Sequence, residues 1–436
     1  MRGVSPGHER ASALRLAPLE RARAGLDSCV HCGFCLPACP TYLALEDEND
    51  SPRGRLLLMG ALLDGSVRPD DPAVGKHLDQ CLGCRGCETA CPSGVPYGQL
   101  LEATRASLLP HRPLPLVARL VLGVFANEWA LRPALALARV ARGSGVAALL
   151  ARLLPARLAM PFAMLASTAR PVRDAYHACG DGTRGIASLL TGCVMEGLFA
   201  DVNRATERTL TVNGWAMRTT DGQRCCGALH AHAGDAATAR KLARENIAAF
   251  ERSGADLVVV NSAGCGAMCR EYGHLLTDDP AWAGRALAFG AKVRDVHQLL
   301  ASAGPITLSV ADGANAHAAR VAYDAPCHLQ HAQLIVEPPL AVLQAARGIL
   351  LVPLADSDQC CGSAGIFNLV LPEVAERVLA PKLLRIAESG AEIVATGNPG
   401  CLMQIGGGLG LAGSAVRARH PVELLDESYA RAQQPS

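Results

Sequence analysis

Two matching cysteine runs near the amino end constrain the fold of this chain more than any other feature. They are Cys29-x2-Cys32-x2-Cys35-x3-Cys39-Pro40 and Cys81-x2-Cys84-x2-Cys87-x3-Cys91-Pro92. Runs of this form bind [4Fe–4S] clusters in bacterial ferredoxins, where the last cysteine of each run ligates the other cluster. The spacing therefore predicts two clusters with crossed ligands. They are Cys29, Cys32, Cys35 and Cys91 for the first cluster, and Cys81, Cys84, Cys87 and Cys39 for the second.

Residues around the ligands support this interpretation. Gly33, Gly83 and Gly86 allow the backbone to turn closely around a cluster. Pro40 and Pro92 would fix the chain as it leaves the last ligand. The alternative is zinc held by C-x2-C pairs. Zinc does not account for the third cysteine, the three-residue gap or the proline.

The overall composition narrows the class of protein. A chain of 436 residues predicts two or three domains. Lys and Arg total 41 against 40 acidic residues, which provides no general reason to expect nucleic-acid binding. The Arg- and Glu-rich stretch 1–27 does not resemble a secretory signal, so the 18 cysteines favour metal binding in a reduced cytoplasmic setting over disulfides. No run of about 20 apolar residues predicts a membrane span.

The second half of the chain contains an internal duplication. Cys193, Cys225-Cys226-Gly227 and Cys265 recur as Cys327, Cys360-Cys361-Gly362 and Cys401, at separations of 134, 135 and 136 residues. Three landmarks at one period indicate two copies of one structural unit.

Each copy has the pattern of a small α/β unit. Short runs rich in β-branched residues precede the cysteines and predict strands at 187–190, 257–260, 321–323 and 393–395. Helical apolar spacing occurs at 236–250 and 372–389. Strands that alternate with helices predict a parallel sheet, whose ligands gather beyond the carboxyl ends of the strands. The cysteines fall at those ends.

The Cys-Cys-Gly sequences predict an additional redox or cluster site in each copy. The candidate residues are Cys193, Cys225, Cys226 and Cys265 in the first copy, with Cys269 as a possible fifth, and Cys327, Cys360, Cys361 and Cys401 in the second. The position of a C-x2-C partner to Cys401 is occupied by Gln404. The alternatives are a redox-active thiol pair and small buried residues at loop ends. Cys179 has no counterpart and is interpreted as an ordinary thiol.

Other motifs carry weaker signals. The histidines near the cysteine loops could relay protons to a quinone or have a structural role; they are His230, His232, His328 and His331. Gly408-x-Gly410-x-x-Gly413 matches the dinucleotide fingerprint but does not directly follow a strand. We therefore predict that this chain has no flavin or nucleotide site, and that hydride chemistry occurs on another polypeptide.

The sequence therefore predicts four segments along the chain. They are a helical two-cluster ferredoxin-like domain at 1–102 with a leader helix at 1–28, a connector at 103–178, and two α/β Cys-Cys-Gly units at 179–312 and 313–436. The connector has ten Arg and two acids, and we expect short helices broken at its prolines, Pro110, Pro113, Pro115, Pro133, Pro155, Pro161 and Pro171. Its basic, Leu-rich face could lie on an anionic membrane or dock a partner. The alternative is ordinary packing with solvated arginines.

Several strings resemble one family along nearly the whole chain. They are Glu48-Asn49-Asp50-Ser51-Pro52-Arg53-Gly54-Arg55, Asn261-Ser262-Ala263-Gly264-Cys265-Gly266 with Glu271-Tyr272-Gly273-His274, and Cys361-Gly362-Ser363-Ala364-Gly365. Together with the motifs above they resemble the iron–sulfur subunit of bacterial glycolate oxidase. The wider Cys-Cys-Gly group includes subunits of anaerobic glycerol-3-phosphate dehydrogenase, lactate-utilisation proteins and heterodisulfide reductase.

The resemblance implies an electron-transfer subunit that works with FAD-containing subunits, which oxidise glycolate to glyoxylate, and that passes electrons toward a quinone. It also implies a cytoplasmic protein with possible peripheral contact to the inner membrane. Members similar to heterodisulfide reductase bind a further cluster with a closing C-x2-C, whereas here Cys265 is followed by Cys269 and Cys401 by no cysteine. The alternatives are a lactate or glycerol-3-phosphate dehydrogenase subunit, a thiol reductase, and a zinc scaffold.

Overall fold

The computed structural model describes residues 16–169, 176–306 and 318–433. The chain divides into two compact units. The first comprises residues 1–122 together with 228–239 and 362–378, and the second comprises 123–227, 240–361 and 379–436. The two later segments of the first unit begin at the Cys-Cys-Gly sequences, so the duplicated motif marks the places where the chain passes between units.

The described residues of the first unit form helices joined by short loops. The helices are Ala17–Arg21, Arg23–Asp27, Pro40–Leu45, Pro52–Leu63, Pro72–Asp79, Gly86–Thr89, Tyr97–Leu108, Ala228–His232 and Phe367–Val370, with a 3₁₀ turn at Glu48–Asp50. The predicted leader helix lies partly outside the described residues, and its described part is the two short helices that begin this list. Helix Leu116–Ala126 begins in the first unit and ends in the second.

Local sequence explains where these helices begin. Proline occupies the first position of the helices at Pro40, Pro52 and Pro72, where a missing N–H removes no helical hydrogen bond. The Ser51 hydroxyl accepts a hydrogen bond from the Gly54 N–H at 3.0 Å and caps the second of these helices. The fully buried Leu19, Met59, Leu78 and Leu100 form a core that also includes Cys81 and Cys87. The cysteine loops therefore rest on packed apolar side chains.

The second unit contains two parallel sheets of identical topology. The strands are β1 Ile186–Leu189, β2 Ala216–Met217, β3 Leu257–Val260, β4 Val293–Asp295, β5 Ala319–Tyr323, β6 Ile349–Val352, β7 Ile393–Ala395 and β8 Arg417–Arg419. The first sheet is ordered β2-β1-β3-β4 and the second β6-β5-β7-β8. Ala187 pairs with Leu257 and Val321 pairs with Ile393. This confirms the predicted duplication of an α/β fold.

Helices connect and cover these strands. Those of the first copy are Cys193–Leu198, Ala200–Val212, Ala236–Ser253, Ala263–Arg270, Tyr272–Leu275, Ala283–Lys292 and Val296–Ala303, and those of the second are a π-helical turn at His328–Ala332, Glu337–Ala345, Pro372–Glu388, Pro399–Leu411 and Pro421–Gln433. Helices Ala236–Ser253 and Pro372–Glu388 each begin in the first unit and continue into the second.

The two copies share one core. Ala187 and Leu210 of the first copy cluster with Val342, Val422 and Tyr429 of the second. The Asn213 amide donates to the Tyr429 hydroxyl at 2.9 Å. The two sheets are therefore halves of one packed body.

A buried histidine also joins the copies. His420 is fully buried; its Nε2 lies 3.0 Å from the Asn261 carbonyl oxygen, and its Nδ1 accepts a hydrogen bond from the Val422 N–H at 3.1 Å. Its ring stacks on His297 with 5.4 Å between the ring centroids. Burial, reinforced by His297, lowers the pKa of His420 to about 3. These contacts require the neutral ring, because Nδ1 is an acceptor.

The connector contains three further helices, Glu128–Gly143, Val146–Leu153 and Ala156–Ala166. Breaks were expected at Pro133 and Pro161, but both prolines lie inside helices. Each proline is the sixth residue of its helix, so it removes a single main-chain hydrogen bond near the start, and the flanking Leu- and Ala-rich residues favour the helix.

The Gly-rich segment after Cys401 serves helix packing. It forms helix Pro399–Leu411, and an added Cβ on Gly407 would lie 2.9 Å from the Met164 nitrogen. A Cβ on Gly408 would lie 2.8 Å from the Leu379 side chain. Gly407 therefore allows helix Ala156–Ala166 to approach closely, and Gly408 does the same for helix Pro372–Glu388, whereas a Cβ on Gly410 or Gly413 would meet no atom within 4 Å.

Within the described residues, no individual helix combines the length and apolar character needed to cross a bilayer, and the sole candidate is the broken pair Leu116–Ala126 and Glu128–Gly143.

Candidate metal centres

Two pockets in the first unit divide the eight ferredoxin-type cysteines into two sets. The first pocket is lined by Cys29, Cys32, Cys35 and Cys91, and the second by Cys39, Cys81, Cys84 and Cys87. Cys87 borders both pockets. Each set combines three thiols of one run with the last thiol of the other. Four thiols around one pocket are the donor set of a [4Fe–4S] cluster, so the residues fit a cluster at each position.

Both cysteine loops turn in the same way. The third and fifth residues of each run have left-handed backbone conformations, with φ of 55° at His31 and 87° at Gly33, and 63° at Gly83 and 65° at Arg85. Gly86, which was expected to provide a turn, instead begins helix Gly86–Thr89. Arg85 takes the left-handed position there, and its Nε donates to the Glu88 carboxylate at 2.7 Å.

The two pockets differ in exposure. Cys39, Cys81 and Cys87 of the second set are 6–8% exposed, whereas Cys32 of the first set is exposed. The apolar side chains of Val30 and Phe34, in the first loop, are 69% and 65% exposed. The first pocket therefore lies near the surface, and the second is shielded from water.

Several hydrogen-bonding groups lie near the thiols of the second pocket. The Tyr97 hydroxyl lies 3.6 Å from Cys81 Sγ, the Gly83 N–H donates to the same sulfur at 3.4 Å, and the Thr41 hydroxyl lies 3.3 Å from Cys39 Sγ. Burial, together with Cys81, raises the pKa of Tyr97 well above its usual value. Tyr97 therefore remains a proton donor. Hydrogen bonds to ligand sulfur stabilise the reduced, more negative state of a cluster.

Arg55 places a buried positive charge beside this pocket. Its side chain is fully buried; its Nη2 lies 3.1 Å from Asp50 Oδ1, its Nη1 donates to the Thr41 hydroxyl at 3.0 Å, and its Nε donates to the His77 carbonyl at 2.7 Å. Burial lowers the pKa of Arg55, but Cys81, Tyr97, Cys39 and Asp50 raise it further, so the net shift is upward. Sequence reasoning assigned Arg55 no role, although it belongs to the string that carried the family resemblance.

The first Cys-Cys-Gly site brings four thiols together. Cys193 Sγ lies 3.5 Å from Cys225 Sγ, and Cys226 Sγ lies 3.3 Å from Cys265 Sγ. The cysteines follow the carboxyl ends of β1, β2 and β3, the position predicted for ligand sites in an open parallel sheet. Hydrogen bonding to Cys225, followed by burial, raises the pKa of the Cys193 thiol well above its usual value.

Cys269 is fully buried near this set, and burial raises the pKa of its thiol.

The second Cys-Cys-Gly site repeats the arrangement. Cys327 Sγ lies 4.0 Å from Cys360 Sγ, and Cys361 Sγ lies 3.2 Å from Cys401 Sγ. The residue of the second copy that corresponds to Cys269 is the fully buried Ile405. Each copy therefore offers the same four thiols, while the position of the fifth tolerates an apolar side chain.

The charges around the two sites differ. At equivalent positions, the first copy has Asn246, whose amide donates to the Cys225 carbonyl at 3.1 Å, and the second has Lys382. The buried Lys382 ammonium lies 2.8 Å from Asp324. Burial lowers the pKa of Lys382, but Asp324 and the Cys361 and Cys360 thiols raise it above its usual value. The second site therefore has a buried charge pair that the sequence period alone did not reveal.

The third residue of each Cys-Cys-Gly sequence has a left-handed conformation, with φ of 88° at Gly227 and 81° at Gly362. An added Cβ on Gly362 would lie 2.7 Å from the Ala375 carbonyl oxygen. Glycine is therefore required at this turn for both conformation and space.

The four candidate histidines fall in different surroundings. His230 is buried with Nδ1 3.1 Å from Asp235, and His232 has Nδ1 2.9 Å from Glu102. His328 and His331 lie in the π-helical turn that follows Cys327. Cys179 is exposed. His230 and His232 therefore belong to the first unit, and His328 and His331 to the second.

Comparisons with known proteins agree with this architecture. The family model of a 4Fe-4S dicluster domain matches residues 25–95, and that of a cysteine-rich domain (CCG) matches 187–270 and 321–406. The probable glycolate oxidase iron-sulfur subunit of Bacillus subtilis (strain 168) is 37% identical over 92% of this chain and 93% of its own length. The glycolate oxidase iron-sulfur subunit of Escherichia coli (strain K12) is 32% identical over 92% and 94%. Lactate utilization protein A of Exiguobacterium sp. is 33% identical over 56% of this chain and 98% of its own length.

Proposed function

Because this chain belongs to the family of glycolate oxidase iron–sulfur subunits, we propose that it carries electrons for a flavin-dependent dehydrogenase that oxidises glycolate to glyoxylate. Substrate oxidation takes place on FAD-containing partner subunits, and a quinone accepts the electrons. The observation that carries the proposal is the division of eight cysteines between two adjoining pockets.

We assign Cys29, Cys32, Cys35 and Cys91 to one [4Fe–4S] cluster and Cys39, Cys81, Cys84 and Cys87 to the other. When bound, such clusters accept and donate electrons one at a time. The chain holds the thiols in place, excludes water from the second pocket, and stabilises added negative charge there through Arg55 and Tyr97.

The exposed first loop is the proposed entry point for electrons. Val30 and Phe34 offer apolar side chains to a partner surface beside Cys32. Electron transfer between proteins requires a short distance, and this loop brings a cluster ligand to the surface. We therefore propose that the flavin partner docks here.

A further metal centre is proposed at each Cys-Cys-Gly site. Sulfur separations of 3.2–4.0 Å crowd four thiols around each position. Four thiolates at such distances would repel one another strongly without a cation. Iron analysis distinguishes empty from occupied Cys-Cys-Gly sites. The two ferredoxin-type clusters supply eight iron atoms per chain, and occupied Cys-Cys-Gly sites raise the number above eight.

The decisive experiment is co-expression with the flavin subunits, followed by an assay with glycolate, lactate and glycerol 3-phosphate. We expect a brown complex that reduces a quinone with glycolate, while the isolated chain is inactive. If the complex prefers lactate or glycerol 3-phosphate, that compound replaces glycolate as the proposed substrate. A colourless chain without acid-labile sulfide would overturn the proposal as a whole and favour a zinc scaffold.

One observation favours a thiol reductase as the second candidate. An open groove of about 620 Å³ in the second unit is lined by Cys193 and Cys225, and its walls carry five arginines and four acidic residues. A disulfide substrate would reach both thiols through this groove. If this function holds, Cys225→Ser abolishes disulfide reduction while the ferredoxin-type clusters stay intact.

A further inference from the structure

A cleft in the first unit adjoins the second set of cluster-type cysteines. Its volume is about 380 Å³, and Cys81 and Leu82 form part of its wall. Other walls come from Leu108, Leu229 and Phe367. Pockets of this size, lined mostly by apolar side chains with a few polar groups, are typical sites for small-molecule ligands.

Four ionisable side chains line this space, namely Arg105, Arg112, Asp79 and His232, and Arg112 pairs with Asp79 at 3.0 Å. Arg105 donates to the Cys81 carbonyl at 2.7 Å and to the His232 carbonyl at 2.8 Å. His232 has its Nδ1 2.9 Å from Glu102 Oε1. Arg105 and His232 both line the cleft. A positive charge and a histidine–carboxylate pair beside an apolar cavity match a ligand that has a hydrophobic ring and gains negative charge and protons.

We propose that this cleft binds the head group of a quinone and is the point where electrons leave the chain. The inference rests on the electron-transfer function proposed above. It adds a ligand site formed by the Cys81 loop and by the segments that follow the two Cys-Cys-Gly sequences. Those segments contribute Leu229 and His232 from one copy, and Phe367 and Val370 from the other.

The cleft has an apolar margin suited to a quinone with an isoprenoid tail. Leu114 and Pro115 line it, and helix Leu116–Ala126 begins at the next residue. On that helix Leu116 and Leu120 are 66% and 61% exposed. A tail that leaves the cleft along this helix would cover apolar surface that is otherwise in water.

The reaction balances with the components named. Reduction of one quinone to a quinol consumes two electrons and two protons. The hydroxy acid oxidised on the flavin partner supplies two electrons, which reach the cleft singly on the Cys81 side. Water supplies the protons through the His232–Glu102 pair, whose Nδ1 and carboxylate lie within hydrogen-bond distance.

The test measures binding apart from turnover. The quinol analogue 2-heptyl-4-hydroxyquinoline N-oxide is titrated into the full chain with its clusters reconstituted, and its fluorescence is followed. Val370 lines the cleft, whereas its neighbour Leu369 is exposed and does not. We expect Val370→Trp to weaken binding about tenfold or more by filling the cleft, and Leu369→Trp to leave it within about twofold. Iron content and visible absorption establish that both variants are folded and loaded.

Equal affinity in the two variants, or no saturable binding to the wild type, would overturn the site. Labelling with a photoreactive azidoquinone provides a second test, because labelled peptides from 108–118 or 364–371 support the site and labels confined elsewhere contradict it.

Assays of the complex separate the site from the proposed function. If Val370→Trp reduces a soluble dye with glycolate but loses quinone reduction, the site is supported. If it reduces quinone as the wild type does, the site is wrong while the electron-transfer function stands. If the wild-type complex oxidises no hydroxy acid with either acceptor, the proposed function fails whatever the cleft binds.

Discussion

One buried guanidinium lies beside the second set of cysteines. Arg55 contacts Asp50, Thr41 and the His77 carbonyl with no exposed surface. Removing one partner of a buried ion pair leaves an uncompensated charge, which is far more costly than the loss of a surface pair.

We predict that Arg55→Met lowers the free energy of unfolding by about 3–5 kcal/mol, because the buried Asp50 carboxylate loses its guanidinium partner, although the His77 ring stays 3.2 Å away. The variant should also shift the reduction potential of the second cluster to more negative values, since a nearby positive charge is lost. Chemical denaturation and a redox titration followed by electron paramagnetic resonance measure the two effects.

As a control, Arg68→Met removes an ion pair whose Arg side chain is 79% exposed, and should change the free energy of unfolding by less than about 0.5 kcal/mol. An unchanged potential in Arg55→Met would contradict the electrostatic role.

A glycine in the same region is required for a different reason. A Cβ on Gly54 would lie 2.0 Å from the Glu48 carbonyl oxygen, so helix Pro52–Leu63 packs directly on the turn Glu48–Asp50. Backbone oxygen cannot move aside as a flexible side chain can. We predict that Gly54→Ala destabilises the protein by about 2 kcal/mol or more, measured by denaturant unfolding.

The matched control is Gly123→Ala. Gly123 lies in helix Leu116–Ala126, and its added Cβ would meet no atom within 4 Å. This substitution should stabilise the helix by about 0.5–1 kcal/mol. Similar losses of stability from Gly54→Ala and Gly123→Ala would mean that the contact with Glu48 is unimportant.

At the scale of elements, the helices of the connector expose much apolar surface. Leu116, Leu120, Leu137 and Leu153 are each more than 60% exposed. The basic composition of the segment matches an anionic surface. We propose that helix Leu116–Ala126 contacts a membrane surface.

We predict that the double variant Leu116→Ser/Leu120→Ser binds vesicles of phosphatidylethanolamine and phosphatidylglycerol about tenfold more weakly or worse, because each leucine contributes apolar burial. Cosedimentation with vesicles measures this affinity. Leu350→Ser/Leu384→Ser is the control, since those leucines are 55% and 56% exposed outside the connector. If both double variants lose the same affinity, the contact is not specific to this helix.

At the scale of the whole molecule, the shared core joins the two Cys-Cys-Gly copies into one body. His420 is central to this contact, because its neutral ring bridges Asn261 and Val422. In the unfolded chain its pKa returns to the ordinary value of 6.5, whereas in the folded chain it is about 3. The unfolded state therefore binds a proton in this window and the folded state does not.

Stability should consequently fall as the pH drops from 6.5 toward 3. We predict that protonation of His420 in the unfolded chain lowers the free energy of unfolding by about 2 kcal/mol between pH 7 and pH 5. In His420→Gln this part of the pH dependence should be absent, although the variant is less stable at pH 7. Urea denaturation at both pH values measures the difference. Parallel pH profiles for the two proteins would refute the assignment.

Local sequence determined the cysteine runs and the fold class of this protein. Ligand spacing requires only that thiols follow one another in a tight loop, so the two ferredoxin-type runs were recognisable directly, and the dicluster family model confirms them. The period of the duplication predicted two similar sheets, and the predicted strand 257–260 coincides with β3. Hydrophobic runs that end in cysteines are also local signals, which is why the predicted fold class is confirmed.

The tertiary structure decided what depends on residues far apart in the chain. The burial of Arg55, the exchange of Asn246 for the charged Lys382, and the return of 228–239 and 362–378 to the first unit are not visible in any short window. Pro133 and Pro161 stay inside helices although local rules predict breaks. The physical reason is that burial and charge pairing sum many weak contacts between distant segments, and only the folded chain brings those segments together.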